Sequence, residues 1–501
     1  MKANPSILRR AVLAIVLMIG FYLLAISIVA GLLYIPYAEM KYANRLHIKL
    51  ALFCVIGAVI VLWAIIPRID KFLAPGPQLT ADRFPRLFRE IESIARATNQ
   101  EMPAEVYAVH DVNAWVAERG GMMGYGSRRV MGLGLPLMRM LSISELRAVL
   151  AHEFGHFHGG DTKLGPWIYK TRSAILRTVN TLAQQGSVIT YPFLWYAKVF
   201  LRTTHAVSRR QEFVADELAA RTAGAGPLIS GLRTVHGVGP AFDPFWMNEV
   251  VPLLNAGYRP PIGEGFGRFV QAQPIAKAIT AQVQTELESG KVNPYDTHPP
   301  LRERIAAVEN LHSGEIPASD AAAVSLIDDV AALERELLAA LFGKDAVEKL
   351  KTIGWDDAGA KVYVPIWTGL LQHNVKALLG ITPAKFPELA TNLKQTAAAY
   401  VGHDGKPPPE EAREGLAIAV LGAALAIGLV QRGWQLSMPP GTAVTVRSGD
   451  IQIEPFNVIQ NLTATKITAA EWQSQCAAGS FADLDLATAA TAAPLQSEQG
   501  H

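Results

Sequence analysis

The stretch AVLAHEFGHFHGGD at residues 148–161 holds two histidines four residues apart, with a glutamate directly after the first. On a helix, His152 and His156 are one turn apart and project from the same face. Two such imidazoles can bind one zinc ion at about 2.0–2.1 Å, and Glu153 then lies where it can contact a water on the metal. The spacing predicts a catalytic zinc site. The alternative is an ordinary polar helix face, because five-residue matches also arise by chance.

The residues around this motif predict a helix that frames it. Ser142 and Glu145 have the spacing of a capping box, and an apolar-rich segment follows them. The glycine pair that begins at Gly159 can end the helix. His158 lies about 200° around the helix from His156, so it cannot bind the same ion and is interpreted as a surface or supporting residue.

A catalytic zinc ion needs a third protein ligand and an open position for water. The segment SRRQEFVADELA at residues 208–219 offers Glu212 and Asp216, four residues apart on one helical face. We expect Glu212 to bind the metal and Asp216 to accept a hydrogen bond from a ligand imidazole, which fixes its tautomer. Without the first motif, these would be interpreted as two solvated acids on a charged helix.

The elements that must position these residues are mainly helical. Apolar residues recur with a helical period over residues 82–97. Three short segments read as strands of a small sheet that precedes the metal-binding helix: residues 105–110, 113–116 and 129–133. Long helices dominate the chain after the motif, so we expect an α+β fold of mainly helical content.

Two apolar segments near the N-terminus predict a transmembrane hairpin. Residues 11–35 contain no charge, and at about 1.5 Å per residue they exceed the roughly 30 Å hydrocarbon core. Residues 50–66 form the second span. A cleaved signal peptide is the alternative, but its apolar region is typically only about 7–15 residues long. Residues 1–74 are therefore expected to anchor the protein in membrane lipid.

Positive charges predict the orientation of this anchor. Taken together, the two outer flanks carry more positive charges than the loop between the spans. This distribution favours a cytoplasmic location for both flanks. The flanking charges are Lys2, Arg9, Arg10, Arg68, Lys71, Arg83 and Arg86, against Lys41, Arg45 and Lys49 in or beside the loop.

Two later segments are apolar enough to raise the question of further membrane contact. Residues 187–197 are too short to span alone, but they can lie at the interface or continue into a longer helix. Residues 415–431 are rich in Gly and Ala, and we favour a buried core helix over a third span. The remaining organisation is a peptidase-like domain at 75–315, a C-terminal α/β extension at 316–487 and a disordered tail at 488–501.

Composition narrows the class of protein. The formal charge is only +2, so no nucleic-acid partner is expected, since such proteins present a basic face. The two cysteines, Cys54 and Cys476, lie in unrelated contexts, and Cys54 falls in a predicted span. A disulfide between them is not expected, and a reducing compartment fits.

Three motifs in order, after an N-terminal hairpin, resemble the HtpX-like membrane zinc metallopeptidases, whose wider family includes the CAAX prenyl proteases. They are HEFGH, SRRQEFVAD, and DTHPP at residues 296–300 followed by Arg304 and Ile305. The resemblance covers roughly residues 80–312 and departs from the family in the long extension that follows.

The resemblance implies a zincin-like domain that holds one Zn²⁺ per chain through His152, His156 and Glu212. It implies that Asn113, Ala114 and Trp115 border the substrate groove and that His298 stabilises the transition-state oxyanion. The implied activity is endopeptidase hydrolysis of polypeptides, including misfolded membrane proteins. It places the enzyme in the bacterial inner membrane, with the peptidase domain facing the cytoplasm.

A second hypothesis is a non-catalytic membrane scaffold or holdase, whose metal site is structural or vestigial. Glu153 favours the enzyme, because a purely structural site needs no base. The sequence leaves the oligomeric state open.

Overall fold

The structure is a computed structural model that describes residues 5–66, 72–121, 126–157, 165–289, 298–311 and 320–491. His158, the glycine pair at 159–160 and residues 296–297 of the third motif lie outside the described residues. The chain divides into two compact units, one formed by Met1–Gly239 with Thr280–Gly343 and the other by Pro240–Ile279 with Lys344–His501.

Helices outnumber strands among the described residues of the chain. Up to its middle, the elements are α1 (Pro5–Tyr42), α2 (Ile48–Ile65), β1 (Gln78–Leu79), α3 (Pro85–Ala97), β2 (Glu105–Val109), β3 (Ala114–Arg119), β4 (Arg128–Gly134), α4 (Leu135–Met140), α5 (Ile143–Gly155), α6 (Gly165–Gln184), α7 (Thr190–Ala223) and α8 (Ala225–Phe245). The second half contains α9 (Val251–Asn255), β5 (Tyr258–Arg259), α10 (Ile262–Gln271), α11 (Gln273–Ser289), α12 (Leu301–Val308), α13 (Val330–Phe342), α14 (Lys344–Glu348), β6 (Lys351–Thr352), α15 (Trp355–Ala358), α16 (Val364–Leu378), α17 (Phe386–Thr391), α18 (Leu393–Thr396), α19 (Arg413–Gln431), β7 (Gln435–Ser437), β8 (Thr445–Ser448), β9 (Ile451–Ile453), α20 (Val458–Thr463), α21 (Ala469–Ala478) and α22 (Leu486–Thr491).

The expected mainly helical fold with small sheets is what the structure contains, and each of the three predicted strands is present. Helix α3 begins at Pro85 rather than at residue 82, because proline fits the first helical position and residues 81–83 form a turn before it.

The sheet of the first unit has the strand order β1-β2-β4-β3. Strands β2 and β4 run parallel in its centre, and β3 pairs antiparallel with β4 only. In the described part of the chain, β3 is therefore an edge strand that pairs with β4 alone. It packs beside α5, which lies against α3 on one side and α7 on the other.

Helices α1, α2, α6 and the first half of α7 share a buried apolar cluster. Phe21 of α1 meets Phe193 of α7 edge to face at 6.2 Å between ring centroids, and the Tyr196 hydroxyl donates to the Leu17 carbonyl at 2.6 Å. The outward faces of α1 and α2 remain apolar and exposed, as a lipid-facing surface requires. The transmembrane hairpin thus packs on the helix that carries Glu212.

The structure divides the chain differently from the boundary expected at residues 315–316. Residues 320–343 belong to the first unit. The Ser144 N–H donates to the Asp320 carboxylate at 3.2 Å, and residues 142 and 322 form an isolated β-bridge. Arg83 and Glu336 form an ion pair at 2.7 Å. These contacts attach the segment to the start of α5 and to the region just before α3.

In the second unit, α19 lies at the centre of an apolar core. A side chain at Gly422 would overlap Phe456, and one at Gly428 would overlap Leu484, so the small residues of α19 allow close packing. This agrees with the buried-core interpretation. By length and composition alone, three helices of the described residues could cross a membrane: Val12–Tyr42, Ile48–Ile65 and Glu410–Gln431.

The second unit also has a three-stranded antiparallel sheet, β7-β8-β9, and a short parallel pair, β5-β6. The first residues of the tail expected from residue 488 are helical, because α22 continues to Thr491, and residues 492–501 lie outside the described residues. Leu486 of this helix is fully buried in the core of the unit.

Candidate metal centre and cleft

Helix α5 begins with the capping box that the sequence predicts. The Glu145 N–H donates to the Ser142 hydroxyl at 3.2 Å, and the Ser142 N–H donates to the Glu145 carboxylate at 2.8 Å. The helix ends at Gly155, earlier than the glycine pair that was expected to end it. His156 caps the helix while keeping helical φ and ψ values, so it stays one turn from His152.

A close approach of two helices brings the second motif to the first. A Cβ atom on Gly155 would lie 2.7 Å from the Cα atom of Ala215, so only glycine allows α5 and α7 to come this near. Ala215 lies between Glu212 and Asp216 in sequence. The contact therefore sets the distance from these carboxylates to the histidines of α5.

Glu212 lies between the two histidines of the motif. Its Oε2 atom is 3.4 Å from His152 Nε2, and its Oε1 atom is 3.7 Å from His156 Nε2. Its side chain is only 6% exposed. His298 Nδ1 is 3.2 Å from Glu212 Oε1, although the His298 ring is half exposed. The structure thus brings together the three residues expected to bind the metal and places His298 beside them.

Asp216 is completely buried and contacts two cationic or potentially cationic groups. His152 Nδ1 is 2.9 Å from its Oδ1 atom. Arg304 donates to both carboxylate oxygens, with Nε–Oδ2 at 2.8 Å and Nη2–Oδ1 at 2.7 Å. With the Nδ1–H of His152 held by Asp216, loss of the Nε2 proton leaves a lone pair directed toward Glu212. Asp216 therefore has the orienting contact that the sequence predicts.

Arg304 is a site residue whose role sequence reasoning missed. It belongs to the third motif and lies on α12, where only 4% of it is exposed. The available signal was its charge: an arginine next to apolar Ile305 on a short helix needs a buried anionic partner. The sequence does not reveal that this partner is Asp216.

Glu153 lies beside the cluster but faces the sheet. The Val116 N–H of edge strand β3 donates to its carboxylate. Burial raises the pKa of Glu153 to about 7, and the nearby Glu212 carboxylate adds to the rise. A carboxyl group with a pKa near neutrality is well matched to accept and return a proton at physiological pH.

The two histidines have opposite protonation preferences. Burial alone would lower the pKa of His152, but hydrogen bonds to Asp216 and Glu212 outweigh it and raise the pKa to about 9. Burial and the neighbouring His152 lower the pKa of His156 to about 4. Burial would raise the pKa of Glu212, but hydrogen bonds with His152 and His298 hold it well below the usual range. The protein thus places positive charge between two buried carboxylates.

The donor set fits a zinc ion. The Oε2 atom of Glu212 is buried and faces His152 Nε2 at 3.4 Å and Arg304 Nη2 at 3.5 Å. Ligand atoms of a tetrahedral site with bonds of about 2.0–2.1 Å lie roughly 3.3–3.4 Å apart. The two distances from Glu212 to the imidazole nitrogens, 3.4 and 3.7 Å, match that spacing closely.

Distance alone also groups Glu153 with His152 and His156, since one ligand atom from each lies within 4.8 Å of the others. Glu212 is the other acid that could complete this set. Its oxygens approach the Nε2 atoms that face away from Asp216, whereas the Glu153 carboxylate is occupied by the Val116 N–H.

A cleft of about 550 Å³ opens in front of the cluster. Asn113 and Ala114 line it together with His298, in agreement with their expected place at the groove. Trp115 does not line it: its indole lies over Gly132 of β4, where a Cβ atom would overlap the ring. Successive side chains of a strand point to opposite faces, so Ala114 and Trp115 cannot both face the cleft.

The chain is similar to known membrane proteases over the region that forms this site. Residues 81–312 match the Peptidase family M48. The chain is 24% identical over 325 residues to the Protease HtpX of Ectopseudomonas mendocina (strain ymp), which covers 58% of this chain and 96% of the relative. It is 26% identical over 248 residues to a Protease HtpX homolog of Archaeoglobus fulgidus, and this match covers 46% of this chain and 69% of the relative. It is 26% identical over 259 residues to a Protease HtpX homolog of Arthrobacter sp. (strain FB24), and this match covers 48% of this chain and 76% of the relative. No solved structure matches the chain.

Proposed function

From the premise that residues 81–312 are an HtpX-like peptidase domain of family M48 in a membrane protease, we propose that the chain is a zinc-dependent endopeptidase. The observation that carries the proposal is the position of the buried Glu212 carboxylate, with Oε2 3.4 Å from His152 Nε2 and Oε1 3.7 Å from His156 Nε2. This arrangement faces an open cleft beside Glu153.

His152, His156 and Glu212 would hold one zinc ion per chain. When bound, zinc supplies a Lewis acid that makes a water molecule more acidic and polarises a peptide carbonyl. Asp216 holds the His152 ring in the tautomer that ligation requires, and Arg304 holds Asp216. The gluzincin pattern of two histidines and a glutamate, and the zincin-like character of the domain, are part of this proposal.

Glu153 is the general base. It accepts the proton of the attacking water and returns it to the leaving nitrogen, for which a pKa near 7 is suited. His298 lies across the cleft mouth, where a donated hydrogen bond can stabilise the oxyanion that develops on the carbonyl oxygen.

The edge strand β3 provides the binding surface for a polypeptide. An extended segment can add to the unpaired side of β3 through main-chain hydrogen bonds, which are indifferent to side-chain identity. Asn113 and Ala114 lie where such a segment enters the cleft. This mode fits unfolded chains, and we propose misfolded membrane proteins among the substrates.

The expected location is the bacterial inner membrane, with the peptidase domain on the cytoplasmic side. The hairpin of α1 and α2 anchors the enzyme, and its flanking lysines and arginines favour that orientation. Anchoring raises the local concentration of membrane substrates.

The test uses the full-length chain purified in mild detergent. We expect about one zinc per chain by elemental analysis and hydrolysis of casein that chelation abolishes and zinc restores. Glu153→Gln is expected to keep the metal and lose at least about 10²–10⁴-fold in rate. A zinc-loaded parent that does not hydrolyse casein would support the scaffold or holdase hypothesis instead.

A further inference from the structure

One wall of the cleft carries a histidine–glutamate contact that the proposed reaction does not use. His236 of α8 and Glu286 of α11 both line the cleft. The two atoms that join them, His236 Nδ1 and Glu286 Oε2, are 2.7 Å apart. The side chains are 24% and 35% exposed, so the pair is accessible from the cleft.

The surroundings of this pair are apolar. Leu228, Leu232 and Val235 line the cleft from the same face of α8, at the spacing of successive helical turns. Away from the metal cluster and Arg304, Glu286 is the single ionised side chain among the described residues that line the cleft. A carboxylate at the end of an apolar wall is a distinct chemical feature of the binding surface.

When the Nδ1–H of a neutral imidazole donates to Glu286, the other ring nitrogen of His236, Nε2, remains an acceptor. Glu286 keeps Oε1, and a carboxylate only accepts. The described residues make no hydrogen bond to either of these two atoms. Two acceptors on an otherwise apolar wall match a group that has several donors and a positive charge.

We propose that His236 and Glu286 form a subsite that binds an organic cation of the substrate, the ammonium or guanidinium of a basic side chain or the α-ammonium of a chain end. The inference rests on the proposed peptidase function and names a substrate preference for it. Glu286 supplies the charge, and His236 is a positioning residue that holds the carboxylate. The apolar stripe on α8 accommodates the aliphatic stem of a lysine or arginine.

Binding to an inert enzyme tests the subsite without requiring turnover. The protein is full-length Glu153→Gln, zinc-loaded in detergent. The probes are fluorescent, N-acetylated alanine-rich decapeptides in which one lysine is moved through every position, with norleucine in the matched controls. We expect the lysine peptide of at least one position to bind roughly threefold to tenfold more tightly than its norleucine control, and the difference to shrink in high salt.

Charge reversal gives the decisive comparison. Glu286→Lys is expected to abolish the preference for lysine and to favour glutamate at the same peptide position. The affinity for the norleucine peptide should not change. Glu288→Lys makes the same change at an exposed position two residues away that does not line the cleft, and it should keep the parental preference. His236→Phe should lower the ratio of lysine to norleucine affinity while leaving norleucine binding intact.

The other possible results also test the cation subsite. The subsite would be overturned, leaving a structural contact between α8 and α11, by either of two results. One is equal binding of all lysine and norleucine peptides together with no gain for a Lys-free peptide that has a free N-terminus, and the other is a uniform loss for every peptide in Glu286→Lys. A Lys-free peptide with a free N-terminus identifies the α-ammonium as the cation if it alone gains affinity. Casein hydrolysis by the parent is measured separately, so failure of the peptidase proposal and failure of the subsite give different results.

Discussion

Arg304 on α12 donates two hydrogen bonds to the Asp216 carboxylate on α7, from Nη2 to Oδ1 at 2.7 Å and from Nε to Oδ2 at 2.8 Å. The Oδ1 atom that accepts from Arg304 Nη2 also lies 2.9 Å from His152 Nδ1. A planar two-bond contact fixes the carboxylate in orientation as well as in place. The ring of His152 is consequently oriented through a residue that lies 88 positions beyond Asp216 in sequence.

Arg304→Lys should weaken zinc binding although it keeps the positive charge. A lysine ammonium cannot donate the two parallel hydrogen bonds, so Asp216 loses its orientation, and a change behind a ligand typically costs roughly 10–100-fold in metal affinity or activity. The affinity is measured by chelator competition at fixed pH, with circular dichroism to verify folding. Arg302→Lys is the matched control, since Arg302 is exposed on the same helix. Parental zinc affinity in a folded Arg304→Lys protein would contradict the positioning role.

Glu212→Ala should lower the zinc content of the purified protein well below one per chain. The change removes the carboxylate whose Oε2 and Oε1 atoms lie 3.4 Å from His152 Nε2 and 3.7 Å from His156 Nε2. Glu217→Ala serves as the control, because Glu217 is on the same helix but pairs with Arg221 at the surface. If Glu212→Ala retains stoichiometric zinc, the third ligand is another acid, and Glu153 becomes the first candidate by distance.

Local patterns predict the parts of the site that depend on local geometry. The period of a helix explains three of them: the capping box, the spacing of His152 and His156, and the presence of Glu212 and Asp216 on one helical face. The short strands can also be predicted from the sequence, because each carries β-branched and apolar residues between turns.

Tertiary packing decides the parts that the sequence could not predict. The contact between Arg304 and Asp216 joins two helices that are remote in sequence. Trp115 is expected in the groove because of its position after Asn113, but the register of β3 against β4 turns its ring toward Gly132. The close approach of α7 to α5 at Gly155 is likewise revealed by no local pattern.

Reporter fusions test the membrane topology. With a two-span anchor, fusions after residue 72 and at the C-terminus should both report the cytoplasmic side, and a fusion in the loop at residues 43–47 should report the opposite side. Helix α19 is apolar enough to span, yet its packing in the core of the second unit favours a location outside the membrane. A C-terminus on the side opposite to residue 72 would show that one of the later apolar helices crosses the bilayer.

Phe193→Ala should destabilise the metal site although the residue is far from it. Helix α7 runs without a break from Phe193, packed on Phe21 of the hairpin, to Glu212, a distance of about 28 Å at 1.5 Å per residue. The hairpin contributes no metal ligand, but it supports the helix that does. Loss of the buried ring costs on the order of 3 kcal/mol in a packed core, so the temperature of zinc release should fall in detergent-purified protein. Tyr191→Ala removes an exposed ring from the same helix turn and should leave that temperature unchanged. Equal release temperatures for the two variants would mean that the anchor and the metal site are mechanically independent, and removal of the hairpin would then leave the chemistry intact.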